Sequence, residues 1–101
     1  MTSNTAEAGK HFTFVNQSGK TIDMFFANAN SQDGWGLNIF DTTPVYNGGS
    51  VGINLGQNAR YWKFKVVYND GSSTYWTDID TQGWSVMTIR RNGSKYTMYF
   101  D

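Results

Sequence analysis

From residue 12 onward, apolar side chains recur at every second position, and each run is cut by a turn rich in glycine, asparagine and serine. A period of two belongs to strands, because successive side chains on a strand point to opposite faces. No stretch shows the 3.6-residue period of an amphipathic helix. The chain is therefore expected to be all-β.

Phe12 and Phe14 alternate with Thr13 and Val15, and Ile22, Met24 and Phe26 with Asp23 and Phe25. Asn16-Gln17-Ser18-Gly19-Lys20 between them reads as a tight loop. The expected first hairpin sets Phe14 opposite Met24 and Phe12 opposite Phe26. Residues 27–44 are the longest irregular stretch, and loops of that length are often functional. This one holds the only proline, Pro44, and the tripeptide Gly34-Trp35-Gly36. After a turn at Asn47-Gly48-Gly49, Val51, Ile53 and Leu55 form an inward side.

Trp62, Phe64, Val66 and Tyr68 then alternate with Tyr61, Lys63, Lys65 and Val67. Asn69-Asp70-Gly71-Ser72 follows as a strong turn signal. A two-residue Asp-Gly turn pairs Val66 with Tyr75, Phe64 with Thr77 and Trp62 with Ile79. On the other face it sets Lys63 against Asp78 and Lys65 against Trp76. A three-residue turn would flip the faces of the second strand. The last hairpin, turning at Asn92-Gly93, pairs Ile89 with Tyr96 and Met87 with Met98 inward. Its outward pairs are Val86 with Tyr99 and Thr88 with Thr97. About seven strands joined this way predict a single antiparallel two-sheet β-sandwich, Ig-like or C2-like, over residues 11–101. Residues 1–10, small and polar, read as a flexible tail.

The 101 residues suffice for one domain. Aromatics at 17% and charged residues at 16% mark a chain that folds, with more rings than a small core needs. Eight basic and eight acidic residues leave no net charge, which disfavours nucleic acid and removes long-range repulsion between copies. No cysteine is present, so disulfides, thiolate catalysis and thiolate metal sites are excluded. No apolar segment reads as a signal peptide or transmembrane span, which leaves the location open between the cytoplasm, signal-free release and a mature form of an exported protein.

Catalytic constellations are missing. The one histidine, His11, opens the first strand and reads as a surface residue. A non-enzyme is expected. Asp33 with Asp41, or Asp78 with Asp80, could form a carboxylate pair, but solvated or salt-bridged side chains are the simpler reading. Asp33 and Asp41, among the loop oxygens of Asn28, Asn30 and Asn38, are the candidate ligands should calcium be bound. Asn16-Gln17-Ser18 and Asn92-Gly93-Ser94 match the glycosylation sequon but fall in tight turns.

The aromatics carry the functional reading. Phe12, Phe14, Phe26, Trp62, Phe64, Tyr68 and Phe100 fit the core. Trp35, Tyr61, Trp76, Trp84 and Tyr99, with Val86, are harder to bury, and exposed apolar or aromatic patches mark interaction sites. Trp35 between its glycines has a second reading, as a lid folded back on the sandwich. The expected ligand-binding set is Trp35, Asn38, Tyr61, Trp76 and Trp84, with rings stacking on sugar C–H faces and amides meeting hydroxyls.

The segments Phe14-Val15-Asn16-Gln17-Ser18-Gly19-Lys20-Thr21-Ile22, Gly34-Trp35-Gly36-Leu37-Asn38, Gly49-Ser50-Val51, Phe64 to Gly71 and Trp76-Thr77-Asp78-Ile79-Asp80 resemble a family of small, largely uncharacterised bacterial β-sandwich domains. The likeness spans residues 12–90 and implies the fold without an activity. Family members often look exported and carry a late cysteine, and this chain has neither feature. The Ser-Gly and Trp-Gly order is also faintly similar to aegerolysins, membrane-binding β-sandwiches, whose later tryptophan- and cysteine-bearing segments are missing here. The chain is thus expected to be a carbohydrate-binding, lectin-like module. The alternatives are a self-assembling structural protein, with a second copy or another protein as partner, and a membrane-binding or toxin-like module.

Overall fold

The alternating runs become seven strands: β1 (His11–Gln17), β2 (Ile22–Ala29), β3 (Ser50–Asn54), β4 (Tyr61–Tyr68), β5 (Ser73–Asp80), β6 (Val86–Asn92) and β7 (Lys95–Phe100). They come from a computed structural model that describes residues 10–101. The expected tail over residues 1–10 lies, Lys10 apart, outside the described residues. One sheet has the order β3-β1-β6-β7 and the other β2-β4-β5. Among the described residues there is no helix, hence none long and apolar enough to cross a membrane.

The two sheets pack face to face. Phe12 of the first meets Phe64 of the second at 6.2 Å between ring centroids, Phe14 meets Phe25 at 5.0 Å, and Tyr96 stacks on Tyr68 at 4.6 Å. Ile22, Ile53, Val66, Met87 and Ile89 complete the buried centre. Burying each such side chain is worth roughly 1.5–3 kcal/mol, so the apolar alternation is what drives the layers together.

Four expectations are corrected. First, β1 and β2 form no hairpin: β1 lies between β3 and β6, and β2 pairs with β4 in the other sheet. The hinge is Asn16, wholly buried. Its Nδ2 donates to Lys20 O (2.8 Å) and Val45 O (2.9 Å), and its Oδ1 accepts from Ser18 N (3.0 Å) and Ser18 Oγ (2.7 Å). Those bonds satisfy the amide completely and hold the chain where it changes sheets. The same bonds remove Asn16 from use as a glycosylation acceptor.

Second, β1 and β6 run parallel, so the four-stranded sheet is mixed rather than purely antiparallel.

Third, the β4–β5 loop has three residues, Asn69-Asp70-Gly71, with Gly71 at φ 86 and Tyr68 N–H donating to Ser72 O. This is the three-residue turn with a left-handed glycine. It sets Phe64 opposite Trp76, Lys65 opposite Tyr75 and Val66 opposite Thr74, and so inverts the faces expected of β5 near its tip. A bulge opposite Lys63 then restores Trp62 opposite Ile79, as expected. An extra residue in β2, between Ile22 and Met24, likewise turns Met24 and Phe26 outward and brings Phe25 into the core.

Fourth, the last hairpin turns at Gly93-Ser94, with Asn92 opposite Lys95. Positive φ at Gly93 and not at Ser94 is the type II′ pattern. The register moves by two residues, to Ile89 opposite Met98 and Met87 opposite Phe100, so the inward set is kept.

Candidate functional site

The outer face of the β2-β4-β5 sheet gathers the side chains that the core leaves out. The inverted register aligns Phe26, Lys65 and Tyr75 across its three strands, with Asn28 and Lys63 side by side in the next row. Met24 and Val67 extend the surface towards the β4–β5 turn.

Residues 30–36 fold onto this face. Asn28 Nδ2 donates to Asp33 O and Gly34 O at 3.3 and 3.1 Å, and Lys63 Nζ donates to Gln32 O at 2.7 Å. Gly34 and Gly36 both adopt left-handed φ, 75 and 74, which only glycine reaches without strain. Between them Trp35 lies half-buried against the sheet. Its ring meets Tyr75 edge-on, 5.8 Å between centroids at 61°. Lys63 Nζ and Lys65 Nζ stand 5.3 and 5.9 Å from the Trp35 ring centre. Each is within cation–π range, and each retains N–H donors. Tyr75 is 65% exposed. The result is an angular pair of rings flanked by two ammonium groups.

Of the expected ligand set, Trp35 and Tyr61 share this face. Tyr61, 48% exposed, precedes Lys63 by one outward step along β4 and carries Arg60 over its ring at 5.3 Å. The other three lie elsewhere. Trp76 points inward against the core, because the three-residue turn gave the outward place to Tyr75. Trp84 is only 9% exposed; it packs on Phe12 and Phe100, and its Nε1 donates to Asp80 O at 2.7 Å. Lys10 covers the remaining ring face. Asn38 is engaged in tethering the long loop: Oδ1 accepts from Phe25 N and Phe40 N, and Nδ2 donates to Asp41 O.

Tyr75, Lys63 and Lys65 are the residues that sequence reasoning left out of the set. The signal for Tyr75 was the three-residue alternative at Asn69-Asp70-Gly71, and the lysines already stood on the outward side in the alternation of β4. The expected contacts of Lys63 with Asp78 and of Lys65 with Trp76 do not form. Asp78 is held by Asn30 instead, through Nδ2 to Oδ1 at 2.9 Å.

Asp33 and Asp41 sit exposed in the long loop, Asp41 at φ 57. Among the described residues no three His, Asp or Glu side chains converge on a common point. Asp80 pairs with Arg60 through two hydrogen bonds, which hold its carboxyl below the usual range. His11 Nδ1 is hydrogen-bonded to Asn54 Oδ1.

No family model matches the chain, and no curated protein does. A solved structure, the NMR structure of a protein from Eubacterium rectale, superposes with a TM-score of 0.64 over 99% of this chain and 94% of that one, at 8% identity. The likeness establishes the fold.

Proposed function

We propose that this protein is a non-catalytic recognition module that binds carbohydrate on the outer face of the β2-β4-β5 sheet. The supporting observation is the Trp35–Tyr75 pair, half-buried Trp35 meeting exposed Tyr75 at an angle, with Lys63 and Lys65 beside the Trp35 ring and Tyr61 further along the same face. A sugar ring stacks its apolar C–H face on such rings, and its hydroxyls accept from the lysine ammonium groups. The scaffold beneath is a rigid sheet, and Asn28 and Lys63 fix the loop that carries Trp35, so little ordering is left to binding. The resemblance to small bacterial β-sandwich domains, and an Ig-like or C2-like class for the fold, belong to the same reading. Calcium on Asp33 and Asp41 is not required by it.

A glycan array followed by titration of tryptophan fluorescence tests the reading. Retention of a defined glycan that weakens at least tenfold in both Trp35→Ala and Tyr75→Ala is expected. An array with no hits, or binding indifferent to both substitutions, overturns it.

A second reading, self-assembly, is favoured by a different observation, the open edge of β3.

A further inference from the structure

We propose that β3 is a self-pairing edge through which two copies of this chain form a weak symmetric dimer. The proposal goes beyond the carbohydrate reading and uses a different part of the fold.

β3 ends the four-stranded sheet, and among the described residues no strand lies on its outer side. The direction of its free groups follows from the register. Asn16 N–H donates to Gly49 O and Leu55 N–H donates to Lys10 O. With Phe14 opposite Val51 and Phe12 opposite Ile53, this pattern turns the N–H and C=O of Val51 and Ile53 towards β1. Those of Ser50, Gly52 and Asn54 therefore point to the open side.

That row is complementary to itself. An antiparallel partner centred on Gly52 sets Gly52 against the partner's Gly52 and Ser50 against the partner's Asn54. Each facing pair exchanges two bonds, roughly six in all. A symmetric interface of this kind closes as a dimer rather than growing into a fibre.

Other edges are guarded and this one is not. The edge of β2 is covered by the long loop, through bridges from Ile22 to Val45 and from Phe26 to Asn38. The edge strand β5 is broken by its bulge, and β7 begins on Lys95. β3 has no charge, proline or bulge, the usual protections of an edge.

The side chains favour the same partner. Val51 and Ile53 face a cleft of about 310 Å³ between β3 and the Ile39–Tyr46 segment. No charged residue lines it. Tyr46 at its rim is 68% exposed, and Ile39 and Val51 are each 37% exposed. A second β3 would bring the partner's Val51 and Ile53 alongside this apolar opening. The formal net charge is zero, so nothing at long range opposes the approach. Five residues make a small interface, and small interfaces are weak.

Sedimentation equilibrium of the whole chain from about 10 µM to about 1 mM, with Val51→Lys and Gly52→Pro beside wild type, tests this. Wild type is expected to approach twice the monomer mass, half-dimerised at roughly 10–500 µM. Proline at 52 removes only an outward N–H, and lysine at 51 puts a charge into the apolar cleft. Both variants should stay monomeric with wild-type circular dichroism. Should Gly52→Pro fail to fold, Val51→Lys and hydrogen exchange decide. Amides of Ser50, Gly52 and Asn54 should gain protection with concentration, while Val51 and Ile53 are protected throughout. A wild type still monomeric at 1 mM, a dimer unmoved by Val51→Lys, or concentration-dependent protection confined to other strands overturns the proposal.

Discussion

Asn30 and Asp78, 48 residues apart, exchange two hydrogen bonds. Asn30 Nδ2 donates to Asp78 Oδ1, and Asp78 N–H donates to Asn30 Oδ1, each at 2.9 Å. Asp78 is the left-handed residue of the β5 bulge, at φ 58. The carboxamide thus supplies the bond that the bulge denies its main chain. The bulge in turn lets β5 be inverted near its tip and regular at its base.

Removing that amide should loosen the bulge. Asn30→Ala is expected to cost about 0.5–1.5 kcal/mol, the net worth of hydrogen bonds lost at a solvent-accessible bulge where water can reach the Asp78 N–H. Asp78→Gly relieves the left-handed backbone but loses one of the two bonds, and should change stability by less than about 1 kcal/mol. Urea midpoints of the two variants check both.

The hinge at Asn16 is costlier to disturb. Asn16→Ala strips partners from Lys20 O, Val45 O and Ser18 together inside the core. A loss of at least about 3 kcal/mol is expected. Chemical denaturation measures it, and a loss under 1 kcal/mol would refute the hinge role.

The paired aromatics of β5 separate site from core. Tyr75→Ala should leave the thermal midpoint within a few degrees of wild type, because its ring is mostly solvated. Trp76→Ala should cost about 2–4 kcal/mol, since its ring packs on the core. Equal destabilisation by both would contradict the register of this hairpin.

Asp70 carries a pH dependence on the acid side. Lys20 Nζ donates to its Oδ2 at 2.5 Å, and Ser72 donates from both N and Oγ. These bonds, that from Lys20 first, pull the carboxyl well below the usual carboxylate range. A depressed folded value means stabilisation present above the unfolded value of about 3.9 and lost as pH falls through the folded one. The pair is solvent-accessible, so the effect is modest. Wild type should lose more stability than Asp70→Asn between about pH 5 and 2, measured by urea midpoints across that range.

Tyr68 acts on the alkaline side. Burial pushes its phenol up to about 12, although Thr74 hydrogen-bonds it at 2.8 Å. A raised folded value gives stabilisation complete below the unfolded value of about 10 and lost as pH rises through 12. Tyrosinate absorbance should show one phenol titrating last, together with unfolding. In Tyr68→Phe that last step should disappear.

Much of the interior was legible in the sequence. Phe12, Phe14, Trp62, Phe64 and Tyr68 were expected in the core and are buried there. Of the candidate site, Trp35 and Tyr61 lie on the outer face of the β2-β4-β5 sheet, with Trp35 packed against Tyr75. Phe25 and Phe26 exchanged roles, as did Tyr75 and Trp76. In each case one extra residue, in the β2 bulge or the β4–β5 turn, inverted a strand whose alternation was otherwise read correctly.

Strand character, the breaks between most strands and most of the apolar side of each strand could be read from the sequence. Those are local properties, written in period two and in glycine-bearing turns. Assembly of the two sheets was needed to place β1 and β2 apart, to run β6 parallel to β1, and to bring Tyr75 rather than Trp76 against Trp35. Strand partners are chosen by contacts distant in sequence, among near-equivalent pairings whose difference is set by how well the whole core closes. Asn16, read in the sequence as part of a turn and a sequon, and Asn30, read as a loop oxygen, instead secure the sheet crossing and the β5 bulge through bonds that exist only once the sheets are assembled.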